Sequence, residues 1–400
     1  MLDISMEYSR KERYTIHPTK SEITLYKVTD PHAWLLGDKD VPVCDSLVHL
    51  GVKRCANTPS PTALIEDHIS SAGKTAYALM GAGLHGLNGL PIAICLKLYS
   101  TYVIPRLLYG LEAIVITQTQ IQLLESFHRW MLRCIQSLPT RTSSAAVLLL
   151  LGKIPIMAKL HIKIISLMQS IAVNSCSTLA KLALRQISTK EKASKSWFIY
   201  VDKILEKYDL PSVQYILDTR PRKQPWKHYI TQTIAQYWTH VLMEEATDKS
   251  TLSMLNLDSC AYSRIHPVWS CIRFTEEIPR AALKAKILCG TYILQSNKAR
   301  FNQYDVSPAC PLCDGPDEDR YHFLLACSSL SSIRIRFLPI LREVLPEFEL
   351  KHLIDCSNIK DIDTRTKFEH ITRKCVCTLH EARNALLLLY TSSKKPKRRR

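Results

Sequence analysis

The sequence predicts a mainly α-helical protein with a short β-hairpin region at its N-terminus and a small, separately stabilised segment near its C-terminus. Three observations carry this. From about residue 62 onward, apolar residues recur at three- and four-residue steps, the spacing of one helix face. Glycine is scarce, 11 in 400 residues, which argues against a sheet-rich fold full of tight turns. The stretch CPLCDGPDEDRYHFLLAC spaces two cysteines, a histidine and a third cysteine as C-x2-C-x8-H-x4-C.

In order along the chain, the first fifty residues read as short strands and turns. SEITLYKV alternates, and LLGDKDVPVC has the form of a strand-loop-strand hairpin. Ile65, Ile69, Ala72, Ala76 and Leu79 then mark a helix, which Gly81, Gly83, Gly86 and Gly89 break. A second helix is expected over Ile92–Tyr102, with Pro105 ending or kinking it. A third starts near Thr117. TQTQ has capping-box spacing, and Ile121, Leu124, His128, Met131 and Ile135 share one face. Helical patterning runs to about residue 185. Residues 186–228 are more polar and end in RPRKQPWKHY, which reads as a loop. Helices are expected again at 229–247, 279–295, 331–345 and 364–390. The tail SSKKPKRRR has no apolar residue and is expected to be disordered.

The formal charge is +17. Six of those charges lie in the last seven residues, and subtracting them leaves +11 on the body. Such an excess favours a polyanionic partner, RNA or DNA first. The opening MLDISMEYSRKERY has no apolar signal core, and the 14 cysteines are irregularly spaced. A reducing compartment follows, with most cysteines acting as small buried apolar residues. The longest apolar run, AAVLLLLG, is shorter than a bilayer span, so no membrane partner is expected.

Cys310, Cys313, His322 and Cys327 are the candidate metal ligands. A Cys-x-x-Cys turn puts two thiolates on one side of a loop, which Pro311 stiffens. The acidic run Asp317–Asp319 suits a helix N-terminus, placing His322 in the first turn and Cys327 at the far end of a short helix. A closed Cys3His set is what zinc takes in a structural role, and it leaves no open position for catalysis. The alternative is a chance gathering of Cys and His. Cys375 and Cys377 have the wrong spacing to chelate and fit a helix instead. The segment is expected to hold a core separate from that of the N-terminal helices.

The same spacing resembles the zinc-binding segment near the C-terminus of reverse transcriptases from non-LTR (LINE-type) retrotransposons. KAKILCGTYILQSNKARFN upstream and CVCTLHEARNALL downstream are similar to its flanks. HPTKSEITLY is similar to the family's N-P-x-K-[ST] motif, with Lys20 as its lysine and His17 where Asn is usual. VHLGV, with His49, Leu50 and Gly51 at its centre, resembles the primer-grip hairpin, and YVIPRLLYGLEAI a thumb or linker helix. The resemblance spans nearly the whole chain in the family's order. It implies a palm remnant with primer-grip-like hairpin over 1–60, a helical thumb-like domain over 61–185 and a helical linker over 186–300. A zinc-binding domain over 301–390 and a basic tail over 391–400 complete it. No Asp-Asp pair occurs anywhere in the sequence, so the two-metal polymerase centre is missing. The chain is expected to be a C-terminal, nucleic-acid-binding part of such an enzyme, and not itself an enzyme.

Other features admit two readings each. Lys20 would help protonate pyrophosphate beside a nucleotide site, or is a solvated lysine at a strand end. The VHLGV hairpin would grip a primer, or persists only as fold. Arg220, Arg222, Lys223 and Lys227 with Trp226 would contact phosphates and stack a base, or form a charged loop whose Trp anchors it to the core. Lys394, Lys395, Lys397, Arg398, Arg399 and Arg400 form a nuclear import signal for an import receptor, implying a nuclear protein, or a nonspecific basic tail. The rival to the nucleic-acid reading is a nuclear protein-interaction module built on the zinc segment. A truncated product without function is the third alternative.

Overall fold

The computed structural model describes residues 2–17, 20–25, 33–49, 51–55, 62–87, 89–174, 178–300 and 306–393. It is mainly helical. The chain opens with α1 (Leu2–Lys11), where strands and turns were expected. Asp3 in the first turn and Arg10 and Lys11 in the last complement the helix dipole, while most of its side chains are exposed.

Two small hairpins follow. β1 (Leu35–Leu36) pairs antiparallel with β2 (Lys39–Asp40), inside the stretch read as a hairpin, and Val43 bridges to Ile23. β3 (Ser46–His49) pairs antiparallel with β4 (Val52–Cys55). Gly51, just before β4, takes φ +76°, a conformation that favours glycine, and a Cβ there would meet the Tyr109 ring at 3.2 Å.

α2 (Thr62–Gly81) buries Leu64, Ile65, His68, Ala72 and Ala76, and ends at the expected glycines. α3 (Ile92–Leu98) runs through one π turn, Tyr99–Val103, into α4 (Ile104–Leu108). The helix therefore continues past the expected end at Tyr102. Pro105 lacks the N–H that the preceding turn would use, and the wider turn just before it accommodates that loss. α5 (Gln118–Gln136) starts on a capping box. Gln120 N–H donates to Thr117 Oγ1 at 3.4 Å, and Thr117 N–H to Gln120 Oε1 at 2.9 Å. All five residues assigned to its core face are buried.

α6 (Ser144–Leu149) precedes α7 (Ile156–Val173). By length and composition α7 could cross a membrane, unlike the shorter run considered from sequence. Its Leu160, Ile164, Ile165 and Met168 are fully buried against the rest of the protein, as in a core helix.

α8 (Thr178–Thr189) leads into α9 (Trp197–Lys207) and α10 (Val213–Thr219), inside the stretch read as more polar. Both later helices bury one face: Phe198, Val201 and Leu205 in α9, and Val213, Ile216 and Leu217 in α10. α11 (Lys223–Thr247) also begins earlier than expected. Pro225 lies in its first turn, where backbone N–H groups have no helical partner to lose.

α12 (Pro267–Ser270), α13 (Ile278–Leu288) and α14 (Gln295–Arg300) lead to the cysteine segment. α15 (Ser331–Val344), α16 (Leu350–Ile354) and the long α17 (Ile362–Ser393) follow it.

One buried cluster runs from Leu64 to Leu379 and includes Cys310, Phe323, Leu324 and Cys327. The expected separate core for the cysteine segment is thus corrected: its apolar side chains belong to the main core. A smaller cluster gathers Leu341, Leu353, Cys356, Ile359 and Phe368.

Buried charge fixes α17 to its neighbours. Lys284 Nζ reaches Glu369 at 2.6 Å and Thr372 at 2.7 Å. All five donors of Arg373 are used. Nε meets Glu369, Nη1 meets Glu277 and the Cys271 carbonyl, and Nη2 meets the carbonyls of Pro267 and Val268. Burial alone would raise the Glu369 carboxyl. Lys284 and Arg373 outweigh it and hold the group below its ordinary value.

Candidate metal centre

The site is built on a short hairpin and the helical turn that follows it. Ala309 bridges antiparallel to Asp317, Cys310 N–H donates to Pro316 O at 3.1 Å, and Glu318 N–H to Pro308 O at 2.9 Å. Between them the chain turns tightly: Asp314 N–H donates to Cys310 O at 3.0 Å, and Asp314 takes φ +50°. Asp319 Oδ1 then accepts the His322 N–H at 2.7 Å, so the acidic run starts a helical turn as its charge suggested. His322–Ala326 form a π turn that leaves Cys327 at its end. The hairpin tip contributes Cys310 and Cys313, and the turn contributes His322 and Cys327.

These four side chains offer ligand atoms that all lie within 4.8 Å of one another, so they could hold a metal ion. Cys310 Sγ and Cys327 Sγ are 3.8 Å apart, and Cys313 Sγ and His322 Nε2 are 3.4 Å apart. A tetrahedral ion with bonds of about 2.3 Å to sulfur and 2.0–2.1 Å to nitrogen has edges of roughly 3.8 and 3.5 Å. The donor set therefore fits such an ion in both kind and spacing. Burial pushes the Cys310 thiol up to about 12, and burial also raises Cys327. At Cys313 burial acts the same way but is outweighed by the Gly315 N–H and the neighbouring thiols, so that thiol lies below its ordinary value. Crowded, buried sulfur of this kind becomes thiolate when a cation supplies the charge.

The surroundings fix the hairpin on the rest of the protein. The buried carboxylate of Glu318 takes two bonds from Arg383 of α17, at 2.6 and 2.7 Å. It also accepts the Gln295 N–H of α14 at 2.9 Å, while the Glu318 carbonyl accepts from Ser296 Oγ at 2.8 Å. Phe323 stacks on Tyr292 with centroids 5.4 Å apart, and Tyr292 OH meets His380 Nδ1 at 2.8 Å. Arg334 of α15 donates to the Cys327 carbonyl. The sequence reading missed these supports. Glu318 stood inside the acidic run, but its partner Arg383 is 65 residues away and nothing local marks the pair.

The remaining sequence candidates do not join this centre. Lys20 is exposed on a turn, its N–H on His17 O at 3.1 Å. His49 and Gly51 are in the β3–β4 hairpin, and Leu50 lies outside the described residues. Arg220 ends α10 in a left-handed conformation, and Arg222, Lys223 and Lys227 are exposed around the start of α11. Trp226 is only 6% exposed and belongs to the main core. Its assignment as a base-stacking surface is therefore corrected to a core anchor, because its faces are covered by neighbours. Lys394, Lys395, Lys397, Arg398, Arg399 and Arg400 lie outside the described residues. Cys375 is buried in α17, as its spacing suggested.

No protein-family model, curated protein or solved structure matches this chain.

Proposed function

We propose that this chain is a nucleic-acid-binding protein organised around one structural zinc, similar to the C-terminal part of a non-LTR retrotransposon reverse transcriptase. The observation that carries the reading is the convergence of Cys310, Cys313, His322 and Cys327, in that family's spacing, with ligand atoms all within 4.8 Å of one another. Zinc suits three thiolates and one imidazole, and four protein ligands leave it no position for substrate. Its role is to close the hairpin on the helical turn. The body's charge of +11, once the tail is set aside, supplies attraction to phosphate. Arg220, Arg222, Lys223 and Lys227 contribute exposed cations to that attraction, without base stacking by Trp226. The tail Lys394–Arg400 directs the protein to the nucleus through an import receptor. The chain holds RNA or DNA and does not polymerise, because no Asp-Asp pair is present to clamp two metal ions.

Purified protein titrated with labelled RNA and DNA tests the reading. With four to six phosphate contacts, affinity falls about two to three orders of magnitude between roughly 50 and 200 mM salt. Absence of binding at low salt would sink it.

A second reading, a nuclear protein-interaction module, is favoured by one surface. Tyr77, Phe127 and Trp130 line an aromatic groove of about 380 Å³ between α2 and α5, with Tyr77 64% exposed. Partners that persist in a pull-down after nuclease treatment would favour this reading over the first.

A further inference from the structure

A cleft of about 470 Å³ lies where three distant stretches of chain meet beside the metal centre. Arg141 and Ser143 come from the turn before α6, and Lys249 and Thr251 from the turn after α11. Asn297 and Lys298 come from α14. Among the described residues, three cations line it and no carboxylate does. Among the described residues, only Lys249 of the three has a carboxylate in ion-pair reach, that of Glu245.

The walls are built rather than incidental. Arg141 Nη2 donates to the Thr291 carbonyl at 2.6 Å, tying the first stretch to the third. Lys249 Nζ donates to Ser143 Oγ at 3.1 Å, tying the second to the first. Gly290 takes φ +64°, and a Cβ there would stand 2.7 Å from the Thr251 carbonyl oxygen, so the third stretch closes on the second only with glycine. Glu318 of the metal hairpin accepts the Gln295 N–H and thereby fixes α14, which carries Lys298.

We propose that this cleft receives a phosphodiester of a bound nucleic-acid strand; the inference rests on the nucleic-acid reading above and gives it an address. The chemistry that fits is an oxyanion. Arg141 spends one of its five N–H donors on Thr291, and the rest of its fork suits phosphate. Lys249 and Lys298 add point charge, and Ser143 and Thr251 bring hydroxyls. The volume is more than a bare ion needs and lies within the range of sites that hold a small organic group. Phosphate also reaches such a site on a free nucleotide, so the test separates the two sources.

The experiment compares wild-type protein with Arg141→Gln, Lys298→Gln and with a charge-matched control, Lys181→Gln, Lys190→Gln, on exposed positions in and just after α8. Each is titrated with labelled single-stranded RNA across a salt series. Losing two phosphate contacts makes the log-log salt slope shallower by about 1.4, and weakens binding at about 50 mM salt by about tenfold or more. The control leaves the slope nearly where it was. Thermal unfolding checks the fold. The single exposed change Lys298→Glu, which removes no hydrogen bond of the wall, is expected to weaken binding in the same direction. If wild type binds RNA and the cleft variants match the control, the cleft proposal is overturned while the nucleic-acid reading stands. If wild type binds no RNA or DNA, that reading falls. Binding of a nucleoside monophosphate that the cleft variant loses then overturns the strand as occupant and leaves a nucleotide in its place. Absence of both kinds of binding overturns the cleft as well.

Discussion

Removing a metal held, as proposed above, by Cys310, Cys313, His322 and Cys327 is expected to loosen much more than the segment that carries them. Structural zinc supplies about 10–16 kcal/mol of apparent binding free energy in small peptides. The whole stability of an ordinary protein is about 5–15 kcal/mol. Once the hairpin opens, two contacts with the remainder are lost together. Phe323, 1% exposed and stacked on Tyr292, leaves the main core. Emptying a buried aromatic position costs about 3–5 kcal/mol. Glu318 leaves Arg383 as a buried guanidinium without its carboxylate, for about 3–5 kcal/mol more. The total of roughly 6–10 kcal/mol is comparable with global stability. Amide hydrogen exchange with and without a chelator, with metal content measured in parallel, reads the outcome. Amides of α14, α15 and the half of α17 around Arg383 are expected to lose protection first, ahead of α5 and α7. Full protection in protein shown to be metal-free would refute the reasoning. So would unchanged zinc content in a Cys310→Ala, Cys313→Ala variant.

Three further outcomes follow from buried groups. Arg373→Met leaves Glu277, Glu369 and three carbonyls facing an apolar side chain, and is expected to cost about 3–5 kcal/mol in urea unfolding; adding Glu277→Gln should recover part of that loss, and simple additivity would count against the network. Trp226→Ala is expected to lower stability by about 3–5 kcal/mol, while leaving oligonucleotide affinity nearly unchanged where the variant is still folded; weaker binding at full stability would restore the stacking role. Asp355 is buried, which alone would raise its carboxyl, but His266 and the N–H groups of Asn256 and Ser357 hold it well below its ordinary value. Its contribution is therefore present above about pH 4 and lost as pH falls below that; Asp355→Asn should lower stability at neutral pH and flatten its acid dependence, and an unchanged acid slope would show that this carboxylate does not set it.

Elements with a strong local signal were legible in advance. Thr117 and Gln120 marked the start of α5, and the apolar step from Ile121 to Ile135 marked its core face. The clustering of Cys310, Cys313, His322 and Cys327 was legible because their types and spacing are short-range. α1 was not, because a mostly exposed helix has little apolar stripe to display. α10 and the start of α11 were obscured by Arg220, Arg222, Lys223 and Lys227. Those cations masked the facing set of Trp226, Ile230 and Ile234 that the helix buries. The shared core and the cleft were invisible for another reason. They depend on pairs such as Arg141 with Thr291 or Lys284 with Glu369, which no window along the sequence contains together.

The union of Lys284 with Glu369 also sets an order in time. The two residues are 85 positions apart. At synthesis rates of about 5–20 residues per second, the lysine leaves the ribosome roughly 4–17 s before its carboxylate. Throughout that interval α13 exists with an ammonium in the middle of an otherwise apolar face, and that face cannot close on anything dry. The C-terminal half is therefore held open until α17 emerges, and that helix is the one that lets it close. A chain interrupted before Glu369 would carry that exposed face permanently, a natural target for chaperones and proteases.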